Sequence, residues 1–267
     1  MLNVSLMPEL PEVETIVRQL SKKIIGKVVK TVNILDSKVV DSKINGMVPF
    51  KINKVYRRAK SIVMELDNGN NLLTHLRMTG HFHYNHFGKF EVARFNFSDN
   101  SFLTHNSIRK FGGIKLLLSS KELEREFSKL GVEPLSKEFT LEHFNSVLLK
   151  RVKSNIKTVL LDQSQIAGIG NIYAQEVLYF AGIDPKKKVF DVSGSQVKKL
   201  HSEIIRVLDL AVKNKGSTVD NYTNIDGAGS YQGHLVVYNK FQCPKGHKIQ
   251  KINIGGRGTS YCSTCQR

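Results

Sequence analysis

The chain has 267 residues, with 40 lysines and arginines against 23 aspartates and glutamates, so its formal net charge is +17. Its 40% hydrophobic content is enough for two modest cores and excludes a disordered tail, and the absence of an apolar run of about 20 residues excludes a membrane-spanning helix. The positive charge predicts a polyanionic partner, and nucleic acid, ribosome and acidic lipid fit the charge equally well.

The cysteine content and the start of the chain favour a cytoplasmic protein. The three cysteines are an odd number, and two of them are separated by only two residues, so they do not form a disulfide framework. The segment Met1–Leu6 is too short for the apolar core of a secretory signal. Thiols in a reducing compartment point to metal binding instead.

The first predicted element is a helix that begins near Pro11. Proline is favoured in a first turn, and Glu12 and Glu14 lie where the positive end of the helix dipole stabilises carboxylates. Gly26 is expected to end this helix. The apolar residues at helical spacing are Val13, Ile16, Val17, Leu20 and Ile24.

The periodicity changes after this helix. From Lys27 to about Leu118 apolar and polar residues alternate, and Asn68-Gly69 is typical of a hairpin turn, which together predict a β-sandwich. Helical spacing returns after Gly131, with Thr140 in an N-cap position before a segment from Leu141 to Leu148. Further helices are predicted at Ile156–Leu161, Ile172–Ala181 and Gly194–Lys213.

The last 30 residues have a different character, with potential metal ligands among lysines, glycines and β-type residues. The candidate ligands are Cys243, His247, Cys262 and Cys265. Thiolate and imidazole are the usual ligands of structural zinc, so the pattern predicts a small β-hairpin held by one zinc ion. The alternative is a hairpin that keeps its shape without metal, with His247 exposed and the thiols free.

An acidic helix start in a basic protein has two explanations. Carboxylates such as Glu9 and Glu12 are favoured at any helix N-terminus. Alternatively, if translation starts at Met7 and this methionine is removed, Pro8 carries a free secondary amine with a pKa of about 8. Such an amine can attack the C1′ atom of a sugar. We predict that Met7 is the initiator, because Pro8 within a longer chain has no amine to donate.

Six motifs follow one another over nearly the whole chain. They are Met7-Pro-Glu-Leu-Pro-Glu-Val-Glu-Thr15, Arg58-Ala-Lys60, His75-Leu-Arg-Met-Thr-Gly80, Arg109-Lys-Phe-Gly112, Gln165-Ile-Ala-Gly-Ile-Gly-Asn-Ile-Tyr173 and Gly256-Arg-Gly-Thr-Ser-Tyr-Cys262. Together they closely resemble the bacterial formamidopyrimidine-DNA glycosylases. The resemblance implies a bifunctional DNA glycosylase and lyase of base excision repair that removes 8-oxoguanine and ring-opened purines from duplex DNA.

The resemblance also implies an α+β fold. It divides the chain into an untranslated or non-native extension (1–6), a catalytic β-sandwich domain with a flanking helix (7–130), a hinge (131–138), a helical helix-two-turns-helix DNA-binding domain (139–234) and a zinc-finger β-hairpin (235–267). We expect damaged double-stranded DNA as the partner and one structural zinc ion as the cofactor. We further expect a monomer in the bacterial cytoplasm, at the nucleoid, with no nucleotide cofactor and no membrane contact.

The resemblance assigns roles to five residues of the chemistry. Pro8 matches the Schiff-base nucleophile, Glu9 matches the acid that assists sugar opening, and Glu12 supports them. Lys60 matches the lysine of β-elimination, and Arg257 matches an arginine that holds phosphate and assists δ-elimination. Taken alone, Lys60 is typical of a solvated strand and Arg257 of a mobile basic loop.

A base inside a duplex must be extruded before an amine can reach its sugar, which leaves a gap in the stack. Met78, Arg109 and Phe111 match the residues that fill this gap: an apolar wedge, a bidentate donor to the orphaned cytosine and a stacking wedge. Without the resemblance, Met78 and Phe111 are more typical of a core. Ser217–Asp220 and Asn224–Ser230 match the loop that covers the extruded base.

The segment Gln165–Tyr173 resembles the turn of the helix-two-turns-helix element. We expect Asn171 to cap the following helix, which then presents backbone N–H groups to a phosphate. Lys153 and Lys157, on the preceding helix, are the expected cationic support for DNA binding. The short glycine motif alone equally fits an ordinary helix–turn–helix corner.

The sequence departs from the family pattern in two places. The second cysteine of the first zinc pair is missing, and His247 is the natural substitute, so we expect a Cys₃His site. Lys89–Arg94 occupies the place of histidines, one of which touches DNA in the family. Phe90 and Val92 cannot donate a hydrogen bond from their side chains, so this contact is not carried over.

Two alternatives remain at this stage. The first is an endonuclease VIII-type glycosylase for oxidised pyrimidines, although the start of the chain and the long loop resemble the purine-specific branch. The second is a non-catalytic damage-binding protein in which Pro8 is blocked. Both predict binding that weakens with salt, so salt dependence does not separate them from the first hypothesis.

Overall fold

The structure is a computed structural model that describes residues 7–217 and 225–267. Contacts divide the chain into two compact units: the first has the described residues of Met1–Lys129 and Lys215–Ser230, and the second has those of Leu130–Asn214 and Tyr231–Arg267. The domain boundaries from the sequence stay predictions, but the described residues of Lys215–Ser230, which were assigned above to the helical domain, pack with the first unit. No helix in the described ranges is long and apolar enough to cross a membrane.

Helix α1, Leu10–Ile24, confirms the first predicted element. Glu9 is its N-cap residue, and the Glu9 N–H donates to Oε2 of Glu12 at 3.0 Å, which supplies a partner for a backbone donor at the helix start. Pro11 lies in the first turn, where a missing N–H costs nothing.

Eight antiparallel strands follow α1 and build the β-sandwich. They are β1 Val28–Ile34, β2 Phe50–Arg58, β3 Ser61–Leu66, β4 Asn71–His75, β5 Gly80–Tyr84, β6 Glu91–Phe97, β7 Phe102–Ser107 and β8 Gly113–Leu117. Their order is β5-β7-β6-β1-β2-β3-β4-β8. Strands β1 and β2 join the two four-stranded layers through the pairs Val28–Lys51 and Val29–Phe50.

The core of the first unit lies between the sandwich layers and α1. It includes Val29 and Phe95 from one layer, Met64 and Leu72 from the other, and Ile16 from α1, all at most 2% exposed. Burial of such side chains contributes about 1.5–3 kcal/mol each relative to exposure. The alternation of apolar and polar residues in the sequence therefore indicates which face of each strand packs against this core.

Helix α2, Ser120–Phe127, was missed in the sequence analysis. Ser119 is its N-cap residue, and the side-chain oxygen of Ser119 accepts a hydrogen bond from the Glu122 N–H. The Ser-x-x-Glu pattern that begins at Ser119 is a known helix-start signal and would have located it.

The second unit contains the predicted helices and hairpin. The elements are α3 Leu141–Leu149, α4 Ile156–Leu161, α5 Asn171–Ala181, α6 Gly194–Lys213, β9 Gln250–Ile254 and β10 Arg257–Tyr261. Two short 3-10 helices also lie in this unit, at Val189–Asp191 and Tyr231–His234, and a third lies in the first unit at Ser42–Met47. Helix α5 is central to this unit, with Tyr173, Val177 and Leu178 fully buried. The two units together have the predicted α+β architecture: a β-sandwich with a flanking helix, a helix-two-turns-helix region and a zinc β-hairpin.

One buried histidine makes the stability of the sandwich depend on pH. His105, in β7, has no exposed surface, and its ring centroid lies 4.9 Å from that of Phe82. Burial, with a smaller contribution from the positive charge of His81, lowers the pKa of His105 to about 3. The ring is therefore neutral in the folded protein at neutral pH, whereas an unfolded chain protonates it near pH 6.5.

We expect the free energy of unfolding to fall as pH drops below about 6.5, because only the unfolded state then takes up the His105 proton. The slope from this residue is about 1.4 kcal/mol per pH unit until the folded pKa is reached. Urea unfolding at pH 7 and pH 5 measures it, and His105→Phe should reduce the loss between these two conditions. An equal loss in both proteins would contradict the assignment.

Candidate functional site

The start of α1 is a buried cluster of polar groups in the first unit. Pro8 is buried, and Glu9 and Glu12 are 3% and 2% exposed. Oε1 of Glu12 accepts hydrogen bonds from the Ser217 N–H at 2.8 Å and the Ser217 hydroxyl at 3.1 Å. Gly216 has φ +72°, and a Cβ there would lie 2.8 Å from the same oxygen. Glu12 therefore connects the Pro8 end of the chain to Ser217.

Lys60 lies in the turn between β2 and β3, where Ala59 has φ 53°. Arg57 anchors this turn to α1, because its guanidinium donates to the Ala59 carbonyl at 3.0 Å and to Oε2 of Glu14 at 2.9 Å. Burial opposes ionisation of Glu14, but Arg57 and Arg18 together hold its pKa below the usual range. The sequence analysis gave Arg57 no role and treated Glu14 only as a carboxylate at the helix start, although both lie within or beside quoted motifs.

His75 is a second neighbour that the sequence analysis did not single out. It pairs with Ser61, the residue after Lys60, across β3 and β4. Burial, followed by the charges of Arg77 and Lys60, lowers the pKa of His75 to about 4. The imidazole is therefore neutral at neutral pH and adds no positive charge beside Lys60.

Met78, Arg109 and Phe111 come together at the surface of the first unit. The backbone N–H of Arg109 donates to the Thr79 hydroxyl at 2.9 Å, and Nη1 of Arg109 lies 3.4 Å from the Met78 sulfur. The Arg109 guanidinium lies 4.9 Å from the centroid of the Phe111 ring. Phe111 is 61% exposed, which rules out the core position that its residue type suggests. An apolar ring and a planar cation are thus presented side by side.

We expect Phe111→Ala to weaken binding to a duplex with an abasic-site analogue by about 1–3 kcal/mol, the usual value of a base–aromatic stack. Stability should change little, because the ring is mostly exposed. Equilibrium binding measures the effect, and Phe241→Ala, at an 88% exposed phenylalanine of the second unit, is the matched control. Equal effects of the two changes would contradict a specific stacking role for Phe111.

Asn171 does not cap α5 as predicted, and this prediction was wrong. Gly170 is the N-cap residue, and Asn171 is the first residue of the helix. Its side-chain oxygen accepts from Nζ of Lys157 at 2.8 Å, and its amide donates to the Gly258 carbonyl at 3.1 Å. The side chain is turned towards these partners because the buried ammonium of Lys157 needs acceptors.

The two predicted cationic residues differ in their surroundings. Lys153 is exposed and lies in the turn before α4 rather than on the helix. Lys157 lies on α4 with no exposed surface, and its ammonium donates to Asn171 and, at 2.6 Å, to the Thr259 hydroxyl. Lys157 therefore contacts the hairpin rather than solvent.

Arg257 is exposed at the tip of the β9–β10 hairpin. The tip is the two-residue turn Gly255-Gly256, whose φ angles are +57° and +74°. Ile254 and Arg257 flank this turn and pair with each other across the two strands. Positive φ at both central residues is the requirement of a type I′ turn, which glycine meets without strain. The glycines thus project Arg257 from a tight turn.

The four predicted metal ligands form one cluster at the base of the hairpin. The ligand atoms of Cys243, His247, Cys262 and Cys265 all lie within 4.8 Å of one another. Nδ1 of His247 is 3.6 Å from the Cys243 sulfur and 3.3 Å from the Cys265 sulfur. A tetrahedral zinc site places such atoms about 3.5–3.8 Å apart, so the residues fit zinc. The cluster holds one structural zinc ion.

Glu176 holds the chain segment that precedes this cluster, and the sequence analysis did not identify it. Its carboxylate is fully buried and accepts hydrogen bonds from the backbone N–H groups of Val236, Val237 and Tyr238 at 2.8–3.0 Å. The backbone of Val236–Tyr238 is thereby fixed to α5. No local pattern in the sequence signals a contact over 60 residues.

Two other predictions concern the first unit. Of the two segments predicted to cover an extruded base, residues 218–220 and 224 lie outside the described residues. In the segment that departs from the family pattern, Val92 is buried in β6, and the backbone carbonyl of Phe90 accepts from the Ser107 N–H at 2.9 Å.

Relatives of this chain cover nearly its full length. Formamidopyrimidine-DNA glycosylases of Lactobacillus helveticus and Streptococcus pneumoniae are 38% and 39% identical to it, over 97% and 98% of this chain and 99% of each relative. The Lactococcus lactis Fpg in complex with abasic-site DNA is 33% identical, with a TM-score of 0.90 over 97% of this chain and 99% of that chain. The same protein in complex with DNA containing an oxidised pyrimidine has a TM-score of 0.90, with 33% identity over 97% of this chain and all of that chain.

Family models match three consecutive parts of the chain. They describe the formamidopyrimidine-DNA glycosylase N-terminal domain (7–114), the formamidopyrimidine-DNA glycosylase H2TH domain (130–223) and a zinc finger found in FPG and IleRS (246–267). This combination, with the zinc hairpin, defines a DNA-binding glycosylase of base excision repair. The chain belongs to the formamidopyrimidine-DNA glycosylase family, and it is a bacterial-type enzyme with glycosylase and abasic-site lyase activity.

Proposed function

We propose that this enzyme excises 8-oxoguanine and formamidopyrimidines from damaged double-stranded DNA through a Schiff base on Pro8, followed by β- and δ-elimination. The observation that carries the proposal is the buried Pro8–Glu9–Glu12 cluster, in which Glu12 fixes the Glu9 backbone and Ser217. Such a cluster holds the chain end in one position, as a nucleophilic amine requires.

In this proposal the mature chain begins at Pro8, and its secondary amine attacks C1′ of the damaged nucleotide. The C1′–N bond to the base breaks, and the base leaves with a proton. Glu9 supplies the proton to the ring oxygen that opens the sugar as the iminium ion of Pro8 and C1′ forms. Lys60 assists removal of the C2′ proton in β-elimination, which breaks the C3′–O bond. In δ-elimination the C4′ proton is lost and the C5′–O bond breaks, so that the 5′ phosphate held by Arg257 leaves.

The remaining proposed residues act on the DNA itself. Met78, Arg109 and Phe111 fill the gap left by the extruded nucleotide, and exposure of the Phe111 ring supports this role. Lys153 offers an exposed charge to the phosphate backbone. Lys157 and Asn171 act mainly through the position of the hairpin, because the Lys157 ammonium is buried. We further propose a monomer in the bacterial cytoplasm that needs no nucleotide cofactor.

Oxidised pyrimidines are a second candidate class of substrate. The observation that favours them is the Lactococcus lactis complex with oxidised-pyrimidine DNA, which is similar to this chain along its length. Cleavage rates on otherwise identical duplexes with 8-oxoguanine or thymine glycol rank the two classes. We expect the purine lesion to be cleaved faster.

Borohydride trapping on an 8-oxoguanine duplex, followed by mass spectrometry of the cross-linked peptide, tests the start site, nucleophile and substrate together. We expect a reduced sugar adduct on a peptide that begins at Pro8. A protein that binds the lesion duplex but forms no adduct and begins at Met1 would instead be the non-catalytic damage-binding protein.

A further inference from the structure

Gln175 is a buried residue of α5 that contacts the backbone of β10. Its side-chain oxygen accepts from the Ser260 N–H at 2.6 Å. Its amide donates to the Asn171 carbonyl at 2.7 Å and lies 3.4 Å from the Gly258 carbonyl. The side chain is only 2% exposed, so these bonds form away from water. Gln175 thus contacts both a backbone N–H group and a backbone carbonyl group of β10, the strand that begins with Arg257.

A second line of contacts reaches Arg257 from α4. The Lys157 ammonium donates to the Thr259 hydroxyl at 2.6 Å, and this hydroxyl donates to the Arg257 carbonyl at 3.0 Å. The Asn171 amide donates to the Gly258 carbonyl. The backbone from Arg257 to Ser260 is therefore held by polar side chains of two helices, while the Arg257 side chain itself is exposed.

The hairpin needs such contacts to place its tip. A two-stranded sheet alone is marginally stable in water, and the zinc ion fixes only the end opposite the Gly255-Gly256 turn. A displacement of about 1 Å in a reacting group can cost about a hundredfold in rate. The contact between Gln175 and Ser260 restrains the strand within three residues of Arg257.

We propose that Gln175 is a positioning residue for Arg257: it fixes the β10 backbone so that the arginine meets the phosphate during δ-elimination. The inference rests on the role proposed above for Arg257. It differs from a structural role of Gln175, which would affect folding and every step of the reaction alike.

The test variant is Gln175→Met, which keeps the length of the side chain and removes its hydrogen bonds. We expect the ratio of δ- to β-elimination product to fall at least about fivefold, whereas the rate of base excision and the zinc content stay unchanged. Hydrogen exchange at the Ser260 amide should become at least about tenfold faster, because this N–H loses its acceptor. Thr259→Val, which removes the hydroxyl bound to the Arg257 carbonyl, is a second variant that should shift the product ratio the same way.

Gln266→Met is the matched control. Gln266 is also 2% exposed, and it makes the same type of contact near the zinc end of the hairpin, accepting from the Cys262 N–H and donating to the Ile183 carbonyl. This change should lower stability without altering the product ratio. An equal change in the ratio for both variants, or an equal fall in every rate in Gln175→Met, would overturn the inference.

A double-mutant cycle separates this inference from the proposed function. With Arg257→Ala already in place, Gln175→Met should have no further effect on the product ratio, because residues that act through one another are not additive. Additive effects would contradict the positioning role. If Arg257→Ala alone leaves δ-elimination intact, the proposed role of Arg257 fails, and Ser260 exchange still tests the backbone contact.

Discussion

A protein that keeps one residue in front of Pro8 is expected to bind damaged duplex DNA and to lose strand cleavage by at least about a thousandfold. The physical reason is that an amide nitrogen is not nucleophilic, so no imine with C1′ can form. Pro8, Glu9 and Glu12 are otherwise unchanged. DNA affinity should persist because Arg109 and Phe111, which are proposed to fill the gap left by the extruded nucleotide, are untouched. Cleavage of an 8-oxoguanine duplex and binding to an abasic-site analogue measure the two properties.

The matched control carries the same leading residue behind a protease site that is cut immediately before Pro8. Cleavage activity should return when the protease exposes the amine. Full activity of the uncut protein would show that another group is the nucleophile, and Lys60, which lies in the turn anchored to α1 by Arg57, would then be the first candidate.

Replacement of His247 by alanine is expected to lower the affinity for zinc by at least about a hundredfold, more than the loss of an outer-sphere contact, which costs about 10–100-fold. The tip arginine Arg257 lies on the same hairpin, so DNA binding should weaken as the metal is lost. His247→Cys should retain the metal, because thiolate is an equally good zinc ligand. Competition with a chromogenic chelator measures the affinity.

His234→Ala is the control for this experiment. His234 belongs to the same unit, but its ring stacks on Tyr231, with centroids 5.6 Å apart, and is not part of the cysteine cluster. This variant should keep one zinc per chain. One equivalent of tightly held zinc in His247→Ala would contradict the role of His247 as the fourth ligand.

Local patterns in the sequence predicted most of the fold. The helix at Leu10–Ile24 and those at Ile156–Leu161 and Gly194–Lys213 follow from spacing and capping residues within a few positions. The same reasoning overlooked Ser120–Phe127, although Ser119 carries a capping signal. Whether a segment forms a helix depends mainly on residues within a few positions of it. Local patterns therefore predicted three of these helices and contain the signal for the one that was overlooked.

The arrangement of the site depends on contacts that no local pattern encodes. Lys157 and Thr259 are 102 positions apart, and their contact accounts for the burial of the Lys157 ammonium. The same ammonium holds the side-chain oxygen of Asn171, which therefore does not cap its helix. Met78 and Arg109 meet across 31 positions through neighbouring loops of the sandwich. The resemblance to a known family could nominate these residues, but only the folded chain reveals their partners.

The bond between Glu12 and Ser217 has a consequence for the enzyme during its synthesis. These residues are 205 positions apart, so the ribosome makes Glu12 early and its partner Ser217 near the end of translation. At about 5–20 residues per second, the nascent chain waits roughly 10–40 s for this contact. A growing polypeptide therefore carries Glu12 without its Ser217 partner, and premature termination before Ser217 leaves a product in which the start of α1 lacks this support.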